Sequence, residues 1–153
     1  IIEGIEKLKD SALQVNLAIS LHAPNNKLRQ ELMPINKKYP LKNVLSAVDN
    51  YIKKTRRKVM FEYVLIKDIN DTKECAQELA KMMRHKLYFL NLIVFNPVLG
   101  LKFEPSKTKR IEEFKRILKN NRINFVQRYK FGQDIKAACG QFNTKVDKKY
   151  LDF

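Results

Sequence analysis

The stretch "DIKAACGQF", residues 134–142, sets Cys139 between two alanines and a glycine, and the only other cysteine is Cys75. A thiolate is a strong nucleophile, and small neighbours leave room for a reactant to approach it. A lone cysteine is also a common small buried residue, so Cys139 has two readings, catalytic thiol or apolar filler. Cys75 lies within an apolar-periodic stretch and reads as core. His22 closes an alternating segment, either as a ligand contact or as a satisfied strand-end histidine. Asn96 stands in "FNP", where a side-chain contact and a simple Asn-Pro turn are both open. Glu62 interrupts an otherwise apolar strand, and a carboxylate there needs a hydrogen bond or an ion pair. Asn91, mid-strand, reads as pairing with a neighbouring strand.

These residues must be positioned by regular elements. "LQVNLAISLH" alternates, with Leu13, Val15, Leu17, Ile19 and Leu21 on one face and Asn16, Ala18, Ser20 and His22 on the other, and so predicts a strand over 13–22. "LKNVLSAVDNYIKK" places Leu41, Val44, Leu45, Val48, Tyr51 and Ile52 at helical spacing. "KVMFEYVLI" is apolar on both faces apart from Glu62, as in a parallel strand covered on both sides. Asp71 and Thr72 cap a predicted helix running to Arg84. "LYFLNLIVFN" gives a third strand, Pro105 and Ser106 open a third helix, and "INFVQRY" gives a fourth strand. Strand and helix alternating at these lengths mean βαβ units and a parallel sheet with right-handed crossovers. In such sheets ligands bind at the carboxyl ends of the strands. "SLHAPNN", "IKDIND", "FNPVLG" and "FGQDIKAACGQ" would then share one rim.

The chain has 153 residues, fewer than the roughly 250 of a complete α/β barrel, so any barrel here is partial. No apolar run reaches the ~18 residues of a membrane span, and "IIEGIEKLKD" does not read as a secretory signal. Two distant cysteines make neither a disulfide framework nor a metal site, which predicts a reducing compartment, the cytoplasm or an organelle if a targeting segment lies upstream. Lys+Arg number 31 against 16 Asp+Glu, a net charge of +15 that attracts polyanions such as nucleic acid, or else coats the surface with solvated lysines. Residues 101–130 hold ten Lys/Arg and three Asp/Glu, a local surplus suited to phosphates.

Four segments in this order and spacing, "SLHAPNNKLRQELMPINKKYPL", "FEYVLIKDIND", "NLIVFNPV" and "GQDIKAACGQ", resemble the RlmN/Cfr radical S-adenosylmethionine (SAM) RNA methyltransferases. The resemblance implies an α/β fold, the carboxyl-terminal part of a partial (β/α)6 TIM-like radical SAM barrel, parallel strands with covering helices. Residues 1–142 would form that half-barrel and 143–153 a Lys- and Asp-rich tail that frays. It implies SAM and a [4Fe–4S] cluster as cofactors, the cluster held by a CxxxCxxC loop upstream of this chain, with no metal ligand within it. The family methylates adenosine at C2 in 23S rRNA and in tRNA, and its Cfr-like members act at C8. Adenine C2 is electron-poor and cannot attack the SAM methyl group. By resemblance, Cys139 first accepts a methyl group from one SAM, and a radical derived from a second SAM then activates it for transfer to the base. An upstream cysteine releases the product by forming a disulfide with Cys139.

The same match places Ser20, Leu21 and His22 along SAM, with Asn96 contacting it. Arg128 and Asp134 fall at polar family positions around the cysteine loop, positioning it or touching RNA, while Glu62, from its place in an apolar strand, reads as a lumen or RNA contact or as half of an ion pair with an arginine. Met33, Pro34 and Ile35 match a turn for which packing is the simpler account. The chain departs from the family at Phe131, where arginine is usual, at Gln133, often aspartate, at Asp68, usually glycine, and at Leu99, commonly proline. Expected partners are 23S rRNA, tRNA and an electron donor such as flavodoxin or ferredoxin, with no membrane and a monomeric state. Residues 1–153 alone, without the cluster loop, would be inactive. The competing class is a non-catalytic basic RNA-binding α/β module derived from this fold.

Overall fold

The computed structural model describes residues 1–11, 13–97 and 101–128. Four strands, β1 (Leu17–Ser20), β2 (Val59–Leu65), β3 (Tyr88–Val94) and β4 (Phe125–Arg128), pair in that order, each parallel to the next. Helix α1 (Ile2–Asp10) precedes the sheet. The β1–β2 crossover carries α2 (Asn26–Leu32), a 3-10 turn (Pro34–Lys37) and α3 (Leu41–Thr55). Helices α4 (Lys73–Met82) and α5 (Thr108–Asn120) make the next two crossovers. When consecutive strands are neighbours and every crossover has the same hand, all helices fall on one face, as in the wall of a barrel.

The burial pattern shows that face. Leu17 and Ile19, Val59, Phe61, Tyr63 and Leu65, and Tyr88, Leu90, Leu92 and Val94 are buried with Val44, Val48, Leu79, Phe114 and Leu118 of the helices in one core. The opposite face carries Ala18 and Ser20, which are exposed, and Met60, Glu62 and Val64, which are half-buried. β2 is therefore sealed on one side and half-covered on the other, a correction to its reading as covered on both. Its apolar second face is that of a barrel lumen, where ligand and side chains share the space.

The first strand is shorter than its alternation predicts. Leu13 and Val15 are 65% and 38% exposed, because β2 starts at Val59, opposite Leu17, and the residues before Leu17 have no partner in this sheet. Helix α4 ends at Met82, short of Arg84, and Thr72 alone caps it, its hydroxyl accepting from the Cys75 amide at 3.2 Å. Asp71 instead takes the Asp68 amide at 3.0 Å. Asp68 has φ 57°, a left-handed conformation that glycine adopts most readily and aspartate tolerates. Ser106 does not cap α5; Lys107 occupies that position.

Candidate functional site

The carboxyl end of β1 is built by buried polar residues from elsewhere. Leu21 and His22 donate their amides to the Glu62 carbonyl at 2.9 and 3.2 Å, carrying the β1–β2 ladder into the loop. His22 has φ 57°, costly for a residue with a Cβ, and it is held there from three sides. Its carbonyl accepts from Asn70 Nδ2 at 2.9 Å, and its Nδ1 accepts from the Val64 amide at 3.2 Å. Asn70 is fully buried; Nδ2 also reaches the Val64 carbonyl at 2.6 Å, and Oδ1 takes the Ile66 amide at 2.7 Å. One side chain thus fastens the loop after β2 to the loop after β1.

Arg29 fixes the same rim from beneath. It is 1% exposed, donating Nη1 to Asn36 Oδ1 at 2.7 Å and to the Tyr39 carbonyl at 3.1 Å, and Nη2 to the Ser20 carbonyl at 3.3 Å. The "MPI" turn, read as packing, leaves Ile35 41% exposed and instead seats Asn36 for Arg29. Residue types alone did not reveal Arg29, Asn36 or Asn70 as structural determinants of the site.

His22 is half-buried, and burial, assisted by the nearby Arg29 cation, lowers its pKa from 6.5 to about 4. The imidazole is therefore neutral at physiological pH. Because Nδ1 accepts a backbone amide, the network assigns the proton to Nε2, which is left as a donor. Leu21 is fully buried, and its amide is spent on the Glu62 carbonyl. Ser20 is exposed on the open face.

Glu62 lies beside Ser20 on β1 and Asn91 on β3 in the strand register. Its Oε2 accepts Asn91 Nδ2 at 2.8 Å, so the interstrand pairing read for Asn91 holds, and its partner is Glu62. Among the described residues Glu62 forms no ion pair with an arginine. Arg128, exposed at the end of β4, is in register with Ile93 and so shares the open face with Glu62 and Asn91. Asn96 is half-buried two residues beyond β3, on the same rim. Ser20, Leu21, His22 and Asn96 thus sit at or just beyond the carboxyl ends of β1 and β3, and Glu62 lies at the middle of β2, level with Ser20. Cys139 and Asp134, and the boundary between 142 and 143, lie outside the described residues.

Cys75 is half-buried on α4, and burial raises its thiol pKa, which disfavours the thiolate and agrees with a core role. Among the described residues no group of three or more His, Cys, Asp or Glu could hold a metal ion, and no helix is long and apolar enough to cross a membrane. Part of the basic surplus near α5 is paired locally, Lys115 with Glu112 at 2.8 Å and Arg110 with Asp68 at 3.4 Å.

Comparison with known proteins places this geometry in a class. No protein-family profile matches the chain. A radical SAM methyltransferase from Sphaerobacter thermophilus has the same fold, with TM-score 0.89 and 42% identity over 92% of this chain and 41% of that one. A domain of pyruvate-formate lyase-activating enzyme from Bacteroides vulgatus, 12% identical, shares the fold alone, with TM-score 0.63 over 83% of this chain and 74% of that one. The four parallel strands thus have the fold of part of that radical SAM methyltransferase, consistent with a portion of a TIM-like barrel.

In sequence the chain is 50% identical, over 145 residues, to the probable dual-specificity RNA methyltransferase RlmN of Caldicellulosiruptor saccharolyticus, covering 95% of this chain and 42% of that protein. It is 45% identical over 152 residues to the protein of the same name from Enterococcus faecalis, covering 97% and 43%. The resemblance to RlmN read from its residues therefore holds across nearly the whole chain. The chain spans about two fifths of the length of these curated relatives.

Proposed function

We propose that this chain is the SAM- and substrate-facing part of an RNA methyltransferase that modifies C2 of an adenosine in 23S rRNA and in tRNA. SAM and a [4Fe–4S] cluster would supply the methyl group and the radical chemistry, with cluster ligands outside this chain and electrons from a donor such as flavodoxin or ferredoxin. Ser20, Leu21, His22 and Asn96 would hold SAM, and Cys139 would carry the methyl group to the base. Arg128 and Asp134 would position the cysteine loop or meet RNA.

The observation that carries this reading is the preorganised end of β1. A neutral His22 is held in a left-handed conformation with a single donor, Nε2–H, left over after its backbone contacts are made. Strain of that kind persists where surrounding bonds over-determine it, and such places cluster at ligand sites. The residues present suit SAM: a hydroxyl at Ser20, a neutral donor at His22 and acceptors at Glu62 and Asn91.

The test uses the full-length protein, purified without oxygen and supplied with SAM, a reductant and rRNA. Cys139→Ala should abolish adenosine methylation while SAM still binds. Methylation at the wild-type rate in that variant would end the proposal.

A further inference from the structure

The row of Ser20, Glu62 and Asn91 crosses three strands on the open face. The row toward the amino ends, Met60 with Phe89, is apolar, and the row toward the carboxyl ends pairs Val64 with Ile93 and ends on Arg128 of β4, so on β2 and β3 the polar row is flanked by apolar side chains. Asn91 is 9% exposed and spends its amide nitrogen on Glu62, and its Oδ1 is buried with no hydrogen-bond partner. Glu62 is half-buried, so part of its carboxylate remains open. A buried carbonyl without a donor is a cost that folded proteins rarely leave in place unless something else satisfies it.

The band therefore presents acceptors, a carboxylate and an amide carbonyl, with a hydroxyl beside them. A ligand bound to the Glu62 carboxylate must bring hydrogen-bond donors. Two adjacent hydroxyl donors match a carboxylate well, and the vicinal diol of a ribose is such a pair. An internal RNA nucleotide keeps only its 2′-hydroxyl, because the 3′-oxygen is esterified. A free nucleoside, such as that of SAM, keeps both.

We propose that Glu62, held in place by Asn91, receives the ribose diol of SAM on the lumen face. The proposal rests on the reading of SAM as the cofactor. Ser20 would place SAM next to Glu62 in the same row, and Asn91 would act as a positioning residue that fixes one carboxylate oxygen.

The experiment measures dissociation constants by calorimetry for SAM and for its 2′-deoxy and 3′-deoxy analogues, using full-length wild-type protein and Glu62→Gln. Loss of a hydroxyl should weaken wild-type binding at least about tenfold, the weight of a hydrogen bond to a charged acceptor. In Glu62→Gln, SAM should bind about as weakly as the deoxy analogues, with discrimination between them reduced to about twofold or less. Glu62→Asp, which keeps the charge and withdraws it by one methylene, should show intermediate discrimination and guards against misfolding of the first variant. Undiminished discrimination in both variants would assign Glu62 a structural role and overturn the proposal. Discrimination lost only for RNA carrying a 2′-deoxy target adenosine would overturn it in favour of the substrate ribose. Wild-type protein that binds no SAM would overturn the functional reading as well.

Discussion

Acidification should destabilise the protein through His22 in a window of pH that few other groups share. Its folded pKa is about 4, against 6.5 for an unfolded histidine. Between those values the unfolded chain holds a proton that the folded chain does not. The stability from neutral His22 is therefore complete above pH 6.5 and is lost as pH falls toward 4. The difference of about 2.5 units corresponds to about 3 kcal/mol, at a slope near 1.4 kcal/mol per pH unit within the window. The physical origin is local: a proton on Nδ1 would remove the acceptor of the Val64 amide and place a cation near Arg29. Glu3, Glu74 and Glu104 have pKa values below the ordinary carboxylate value of 4.5, so the stability each contributes is lost at more acid pH than that of His22. Urea midpoints of the full-length protein across the range from about pH 5 to 6.5 should fall with pH, and those of His22→Asn should stay nearly level. Nitrogen-15 spectra of the His22 ring and the Val64 amide give a direct check. A His22 or Val64 resonance that titrates near pH 6.5, or equal urea slopes in the two proteins, would refute the reasoning.

Two substitutions test the supports of the rim. Arg29→Met should cost about 3–5 kcal/mol, because it strands the Asn36, Tyr39 and Ser20 oxygens in a buried setting; Arg29→Lys should recover only part of this, as one ammonium cannot span the same fork. Asn70→Ala should cost about 3 kcal/mol by leaving the His22 and Val64 carbonyls and the Ile66 amide unpaired, measured like Arg29→Met by the shift in thermal midpoint.

The parallel sheet was legible because two different periods are written into the chain. β2 and β3 announce themselves as apolar runs seven residues long in the structure, and α3 and α5 as helical stripes between strands. The faults came where a neighbour decides the outcome. Alternation across Leu13 and Val15 describes which way side chains would point in a strand, but a strand exists only where another chain segment accepts its hydrogen bonds. Nothing in residues 13–16 could reveal that β2 begins opposite Leu17. The double-sided reading of β2 failed for a related reason. Its apolar second face was visible, but how fully that face is covered depends on the rest of the barrel.

The site was legible by residue type at its surface and illegible in its foundations. Ser20, His22 and Asn96 stand out as polar residues at strand ends, and Glu62 as a carboxylate inside an apolar strand. Arg29 and Asn70 gave no such signal, since an arginine or asparagine in a polar loop usually faces water. What buries them is the main chain they bind: Asn70 reaches a carbonyl 48 residues away and Arg29 one 9 residues away. Backbone carbonyls carry no sequence signature, so an interaction with them is invisible until the fold brings them near. The same argument says where the specificity of this rim resides. His22 could be neutral for many reasons in many proteins, but here its neutrality, its tautomer and its strained backbone depend on Val64, Asn70 and Arg29 together, so the donor it offers is a property of the two joined loops rather than of the histidine.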